Sequence, residues 1–191
     1  MKRRSLPAWY NGTLYRSHLE ARWAIFFDRL DIKARYEPQG FDLGDGVLYL
    51  PDFVIFAACG TLWAEVKPEW DADTDGVERW RRFAAMRPSP SQSRAALLVG
   101  PPSFEIATCT VIGGDDAQDD PLQGPWEDSE YAWRPCSAGY HFDLYHHKFK
   151  YAVAPDSCPM LGGADGWERI EVAVSASLSH RFGKFGPGKA A

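Results

Sequence analysis

The segment that most restricts the fold is the apolar stretch TLWAEVK, residues 61–67, which carries an acid and a base two residues apart. Side chains alternate between the two faces of a strand, so Glu65 and Lys67 would share one face, with Ala64 and Val66 on the other. Burying charge is costly unless the charges are paired or bind a metal. The stretch therefore predicts a strand whose charged face is either ion-paired or bound to a metal.

A second carboxylate, Asp52 in YLPDF, lies on the preceding strand-like segment. Two carboxylates on adjacent strands repel each other, and a hard divalent cation such as Mg²⁺ offsets that repulsion through oxygen ligands. Such a cation polarises a phosphodiester and acidifies a water, which Lys67 could orient or deprotonate while it stabilises negative charge. The structural alternative is that Asp52 is a strand-end acid and that Glu65 and Lys67 form a cross-face ion pair.

Hydrophobic periodicity over the first hundred residues predicts a helix, three strands, a helix and a strand. The first helix has apolar residues at spacings of three and four on one face, with Ser17 as its candidate N-cap. The turn sequence DLGDG separates the first two strands. The predicted ranges are helix 15–30, strands 33–42, 47–56 and 61–67, helix 76–87 and strand 94–100.

The pattern weakens beyond residue 102, where the sequence predicts an appended segment rather than a large second domain. We therefore expect a core over residues 1–112 and an α+β C-terminal extension over 113–191, packed on or beside that core. The elements expected there are a strand at 104–112, an acidic loop at 113–130, an aromatic and histidine-rich stretch at 131–153, and a helix near 166–183.

The motif Pro51-Asp52, followed by twelve residues and then Glu65-Val66-Lys67, resembles the signature of the PD-(D/E)XK, or restriction-endonuclease-like, nuclease superfamily. The predicted element order likewise resembles the αβββαβ core of that superfamily, an α/β fold with a mixed central sheet. More narrowly, the string YRSHLEARWAIFFDRL…YEP…YLPDF…WAEVKP resembles small nuclease-like proteins of bacteria and phages, related in motif layout to transposon-end endonucleases and Holliday-junction resolvases. The resemblance covers residues 15–100.

The resemblance implies a metal-dependent endonuclease that hydrolyses DNA phosphodiester bonds. Glu20, Asp52, Glu65 and Lys67 would be catalytic. The metal would be Mg²⁺, replaceable by Mn²⁺, and its ligands would be Glu20, Asp52, Glu65 and the Val66 carbonyl. Because such enzymes often cut both strands as dimers, the resemblance also implies a homodimer or a partner subunit.

Three alternatives stay open at this stage. Ser17-His18-Leu19-Glu20 also matches a capping box, in which the glutamate only closes the helix N-terminus. The chain could be a catalytically silent nucleic-acid-binding or assembly module that retains the nuclease fold. It could also be an enzyme whose acids hold a metal for another phosphate substrate.

Charge is unevenly distributed along a chain whose net charge is −5. Residues 1–40 hold eight Lys or Arg against four Asp or Glu, whereas residues 68–130 hold five against thirteen. Phosphate contacts supply most nucleic-acid affinity, so the basic segment is the candidate DNA-facing surface, and uneven surface charge is the alternative. The candidate nucleic-acid-binding residues are Tyr15, Arg16, His18, Arg22, Arg79 and Arg82.

The four cysteines are scattered and form no CxxC pair, so we expect neither a disulfide framework nor a zinc ribbon. Cys136, His141, His146, His147 and Cys158 lack the usual zinc spacing, and zinc is not expected. No run approaches the roughly 18 apolar residues of a membrane span, and the N-terminus lacks the apolar region of a signal peptide. We expect a cytoplasmic protein without a membrane partner.

Overall fold

The computed structural model describes residues 5–57, 60–69, 74–86, 93–103, 109–112, 129–136, 139–146 and 164–182. Three helices lie in these ranges: α1 (His18–Arg29), α2 (Thr74–Ala85) and α3 (Ala164–Ser179). The strands are β1 (Ala8–Tyr10), β2 (Thr13–Tyr15), β3 (Lys33–Tyr36), β4 (Phe41–Asp42), β5 (Leu48–Tyr49), β6 (Phe53–Ala57), β7 (Gly60–Lys67), β8 (Ser93–Val99), β9 (Cys109–Ile112), β10 (Ser129–Cys136) and β11 (Gly139–His146).

The main sheet has five strands in the order β3-β6-β7-β8-β9. β7 and β8 are parallel, and the other three pairs are antiparallel. A parallel pair needs a crossover connection, and α2 provides it. The predicted α/β class with a mixed sheet is therefore confirmed, and the order helix, three sheet strands, helix, strand is observed from α1 to β8.

Each face of the sheet is covered by helix, which makes two hydrophobic clusters. On one face, Phe26 and Phe27 of α1 and Ala173 of α3 pack against sheet residues such as Phe53 and Ile55. On the other face, Trp80 and Phe83 of α2 pack against Leu97 and Val99, with Trp63 at the margin. Glu65 and Lys67 have the same strand parity as Trp63, so they belong to the α2 face.

The two long strands predicted over 33–42 and 47–56 are wrong in extent, because both are interrupted. β3 ends at Tyr36, since Glu37 has a positive φ of 42° directly before Pro38. Residues 41–42 and 48–49 form a separate short hairpin around DLGDG, whose turn uses positive φ at Gly44, Asp45 and Gly46.

The sequence prediction missed the hairpin of β1 and β2, which precedes α1. Its register pairs Ala8 with Tyr15 and Tyr10 with Thr13. Asn11 (φ 45°) and Gly12 (φ 78°) both adopt the left-handed conformation that a two-residue hairpin turn requires. Asn-Gly between strand-forming residues is a strong hairpin signal, so this element was predictable.

The helix predicted at 166–183 is confirmed as α3, which begins two residues and ends four residues earlier. It packs on α1, and Arg169 Nη2 lies 2.8 Å from Asp31 Oδ2. β10 and β11 form an antiparallel hairpin that begins at Ser129, two residues before the predicted aromatic stretch, and ends inside it. Most of the predicted acidic loop, the first five residues of the predicted strand 104–112, His147 and Cys158 lie outside the described residues. No helix in the described ranges is long and apolar enough to cross a membrane.

Candidate active site

Asp52 is held at the point where the antiparallel pair of β6 and β7 ends. Phe53, the first residue of β6, pairs with Ala64. Asp52 immediately precedes this strand and therefore lies beside Glu65 and Val66 of β7. The Val66 amide donates to Asp52 Oδ2 at 2.7 Å, and the Asp52 side chain is only 3% exposed. Position in the sheet therefore fixes this carboxylate before any ligand arrives.

Glu65 and Lys67 emerge together on the face of β7 that α2 covers. The Lys67 ammonium lies 2.8 Å from Glu65 Oε1. The other oxygen, Glu65 Oε2, accepts a hydrogen bond from the Tyr49 hydroxyl at 3.0 Å. Burial, followed by the neighbouring Glu65 carboxylate, raises the pKa of Tyr49, so its hydroxyl keeps its proton and acts as a donor.

Glu20 reaches the same region from the first turn of α1, where it also takes part in capping. The Ser17 hydroxyl accepts from the Glu20 amide at 3.0 Å and donates to Glu20 Oε1 at 2.8 Å. Glu20 Oε2 accepts from the Arg16 amide at 3.1 Å and from the Tyr36 hydroxyl at 2.5 Å. The glutamate returns to the Ser17 hydroxyl rather than to its amide, so the cap differs from a standard capping box.

Arg16 links the separate parts of the site. Its guanidinium donates to Asp52 Oδ1, and its Nε lies 2.9 Å from Glu37 Oε1 and 3.3 Å from the Tyr36 hydroxyl. Arg16 Nη2 thus occupies one oxygen of Asp52 while the Val66 amide occupies the other. The Arg16 guanidinium therefore neutralises part of the negative charge of Asp52 and Glu37.

Burial and the neighbouring carboxylates raise the pKa of Asp52 well above its usual range. Burial is the largest cause, and the nearby Glu65 and Glu20 carboxylates add to it. The hydrogen bond from Val66 and the Arg16 guanidinium act in the opposite direction without cancelling the effect. Three carboxylates therefore act electrostatically on one another, and the site favours any added positive charge.

These groups line an open cleft of about 360 Å³. α2 contributes to it through Gly76 and Arg79, and the β4–β5 hairpin through Leu48 and Tyr49. The charged residues on its wall are Arg16, Glu20, Asp52, Glu65, Lys67 and Arg79. A cleft with both carboxylates and fixed cations suits a divalent cation together with an anionic ligand.

The donor set fits a hard divalent cation in chemistry, although its side chains are turned to protein partners. Within the described ranges, no three or more His, Cys, Asp or Glu side chains are arranged so that they could hold a metal ion. Asp52 is instead paired with Arg16, and Glu65 with Lys67. The same carboxylate oxygens are the ligands that Mg²⁺ prefers.

Three of the residues predicted to contact nucleic acid are not brought to this cleft. Tyr15 is buried and packs 4.6 Å from the Tyr36 ring, so its ring is not presented to a phosphate in the cleft. The His18 ring packs 4.7 Å from Phe182. Arg22 donates to the Ser177 and Leu178 carbonyls, which lie in the last turn of α3.

The other predicted contacts have mixed positions. Arg16 and Arg79 line the cleft, and Arg79 is exposed on α2. Arg82 instead donates to the Leu43 carbonyl at 3.2 Å and lies 3.4 Å from Asp45, so it holds the β4–β5 turn.

Tyr36, Glu37 and Tyr49 were missed as site residues. Their contacts with Glu20, Arg16 and Glu65 span 16 to 21 positions of sequence, and no local pattern reports such pairs. Comparisons with protein-family models, with curated proteins and with solved structures find no match to this chain. Its activity is therefore inferred from its own residues.

Proposed function

We propose that the protein is a Mg²⁺-dependent endonuclease of the PD-(D/E)XK type that hydrolyses phosphodiester bonds in DNA. The observation that carries the proposal is the meeting of Glu20, Asp52, Glu65 and Lys67 in one cleft at the end of β6 and β7. The order of helices and sheet strands from α1 to β8 supports it, because it matches the αβββαβ arrangement that the motif accompanies.

Each residue has a role that follows from its surroundings. Asp52 and Glu65, with Glu20 and the Val66 carbonyl, would hold one or two Mg²⁺ ions; such ions polarise a phosphodiester and acidify the attacking water. Lys67 lies 2.8 Å from Glu65, and in the proposed mechanism its ammonium would orient a water and donate to negative charge that develops on phosphate oxygens. Arg16 and Arg79 are the cleft cations that would contact the phosphate backbone.

The ion pairs also favour one competing function. Asp52 and Glu65 each have a cationic partner in the protein, so the same residues could form a charge-balanced network in a nucleic-acid-binding module without catalysis. This module would bind DNA with no need for a divalent cation. For the nuclease we also propose a homodimer or a partner subunit, so that a second site cuts the second strand.

The deciding experiment compares supercoiled plasmid, linear duplex, single-stranded DNA and RNA as substrates, with Mg²⁺ and with EDTA. The nuclease proposal expects Mg²⁺-dependent DNA cleavage that the Asp52→Asn variant lacks. Equal cleavage by the variant and wild type would remove Asp52 from the mechanism and overturn the proposal. DNA binding without cleavage under any of these conditions would favour the silent module.

A further inference from the structure

A second cavity lies beside β3, which is one of the two edge strands of the main sheet. It is about 540 Å³ in volume and is bounded by the β1–β2 hairpin, α1 and β3. We call it the β3-edge cavity, defined by Tyr10, Thr13, Tyr15, Asp28, Tyr36 and Phe53. Its volume is within the roughly 300–1,000 Å³ of small-molecule sites in proteins.

Aromatic rings form its inner wall. Tyr15 and Phe53 are buried, and their centroids lie 6.2 Å apart with near-parallel planes. The partly exposed Tyr36 ring lies 4.6 Å from Tyr15 and 5.4 Å from Phe53. Of these three rings, Tyr36 is the one that solvent reaches, so Tyr36 is the ring that can present a π face to a flat ligand, with Tyr15 and Phe53 packed behind it.

The rim supplies hydrogen-bonding groups with little positive charge. Asp28 and Glu37 are its carboxylates, and Thr13 adds a hydroxyl group. Its one basic residue among those described, Arg35, extends over the Phe56 ring, 5.4 Å from its centroid. The Asp28 carboxylate accepts from the Tyr10 hydroxyl at 2.6 Å and Glu37 is paired with Arg16, so these rim charges already have protein partners, and the cavity favours an uncharged, planar ligand that is polar at its edge.

The cavity is joined to the candidate active site by shared residues. The Tyr36 ring lines the cavity, while its hydroxyl donates to Glu20. Glu37 also lines the cavity, and its carboxylate holds Arg16 on the cleft wall. The Tyr36 side chain therefore separates a ligand in the cavity from the cleft that would take the phosphate.

We propose that the β3-edge cavity binds one unpaired nucleobase of the DNA, next to the phosphate in the cleft, a proposal that rests on the proposed function. Stacking on aromatic side chains and hydrogen bonds to the base edge are how proteins hold such bases. A base in a continuous duplex is stacked and paired, so it must be extruded to enter. The preferred substrate is therefore DNA with an unpaired nucleotide beside the cut, in a single strand, a gap or a branch.

The test fills the cavity and measures binding without cleavage. Thr13→Trp places an indole at the rim, and Leu14→Trp is the matched control, because Leu14 is the next residue of β2, is 49% exposed and does not line the cavity. Fluorescence anisotropy in EDTA would give the Kd of each protein for a fluorescein-labelled mixed-sequence 12-nucleotide single strand and for its blunt duplex. Ala34→Leu fills the cavity from β3 and serves if Thr13→Trp does not fold.

The proposal expects Thr13→Trp to weaken single-strand binding by at least about fivefold, the lower range for one lost stacked base, while duplex binding is unchanged. Leu14→Trp should match wild type on both. Equal single-strand affinities for the two tryptophan variants, with wild-type cleavage present, would remove the base site and leave the nuclease. A selective loss in Thr13→Trp, with no wild-type cleavage of any DNA, would remove the nuclease and leave the base site.

Discussion

The guanidinium of Arg16 and the carboxylate of Asp52 form an ion pair in the cleft, at an oxygen that a divalent cation would also need. The two side chains differ greatly in exposure, 57% for Arg16 against 3% for Asp52. Asp52 is also held by the Val66 amide, so Arg16 is the partner that can move into solvent. Under the proposed function, Arg16 would therefore compete with the metal ion for Asp52.

Replacing Arg16 with methionine should tighten Mg²⁺ binding while it weakens cleavage. Loss of the guanidinium removes a competitor for Asp52 and a positive charge that would repel Mg²⁺. At an exposed site this is worth up to about 1 kcal/mol of Mg²⁺ binding free energy, or about fivefold in the Kd for Mg²⁺. Cleavage should fall because the proposed contact between Arg16 and the phosphate backbone is lost. Titration calorimetry would measure the cation affinity, and a plasmid assay the cleavage.

Arg82→Met is the matched control for this experiment. Arg82 is bound to the Leu43 carbonyl and to Asp45, away from the cleft, so its loss should leave the Mg²⁺ affinity at the wild-type value. An Arg16→Met protein that binds Mg²⁺ no better than wild type would show that the two cations do not compete.

The extent to which this site was predictable differs from residue to residue. Strand alternation was sufficient to put Glu65 and Lys67 on one face, and the local pattern was sufficient to identify Ser17 as the N-cap, because both depend on near neighbours in sequence. Propensity alone extended the strand of β3 through Glu37, where a positive φ before a proline ends it. The partners of the acids, Arg16 and Tyr49, depend on tertiary packing that periodicity does not report.

Lys67→Met should abolish most cleavage and leave cation binding intact. Its ammonium is the donor nearest to Glu65, and loss of one preorganised donor typically costs about 10²–10³ in rate. The carboxylates that would hold Mg²⁺ are unchanged, so calorimetry should give a Kd equal to or lower than that of wild type. Lys33→Met, at an exposed position on β3, should cleave like wild type. Near-normal cleavage by Lys67→Met would remove Lys67 from the mechanism.

Asp52→Asn should stabilise the metal-free protein at alkaline pH. The raised pKa of Asp52 means that the folded chain binds this proton more tightly than the unfolded chain, whose value is about 3.9. Stability from this group is present at low pH and is lost as pH rises through the interval between the two values. Asparagine lacks the buried charge, so its advantage should appear at pH 8 and diminish at pH 4.

Thermal melts in EDTA from pH 4 to pH 8 would measure this effect, with about 2–4 °C expected for each 1 kcal/mol in a chain of this size. Asp45→Asn is the control, because the Asp45 side chain is 91% exposed, so solvent screens its 3.4 Å ion pair with Arg82 and the loss of that pair should shift the melts little at any pH. An Asp52→Asn protein that melts below wild type at pH 8 would mean that the pairing with Arg16 outweighs the cost of burial.

The last prediction separates the two roles of Glu20, which caps α1 and faces the cleft. Glu20→Gln keeps a carbonyl oxygen that can accept from the Ser17 hydroxyl, while its NH2 group replaces the oxygen that accepts from the Arg16 amide and can donate to the Tyr36 oxygen, so the helix terminus should be retained with only a modest fall in melting temperature. The same change removes a full negative charge from the surroundings of the cation. DNA cleavage should then fall by at least about tenfold, which corresponds to ~1.4 kcal/mol of transition-state stabilisation, and the cleavage rate should depend less strongly on the Mg²⁺ concentration.

Ser17→Ala provides the converse change, because it removes the cap that accepts from the Glu20 amide and should cost about 0.5–2 kcal/mol of stability. Cleavage at saturating Mg²⁺ should persist in folded Ser17→Ala protein. If instead Glu20→Gln cleaves with wild-type Mg²⁺ dependence, Glu20 is only a capping residue, and Asp52, Glu65 and Lys67 are the whole site.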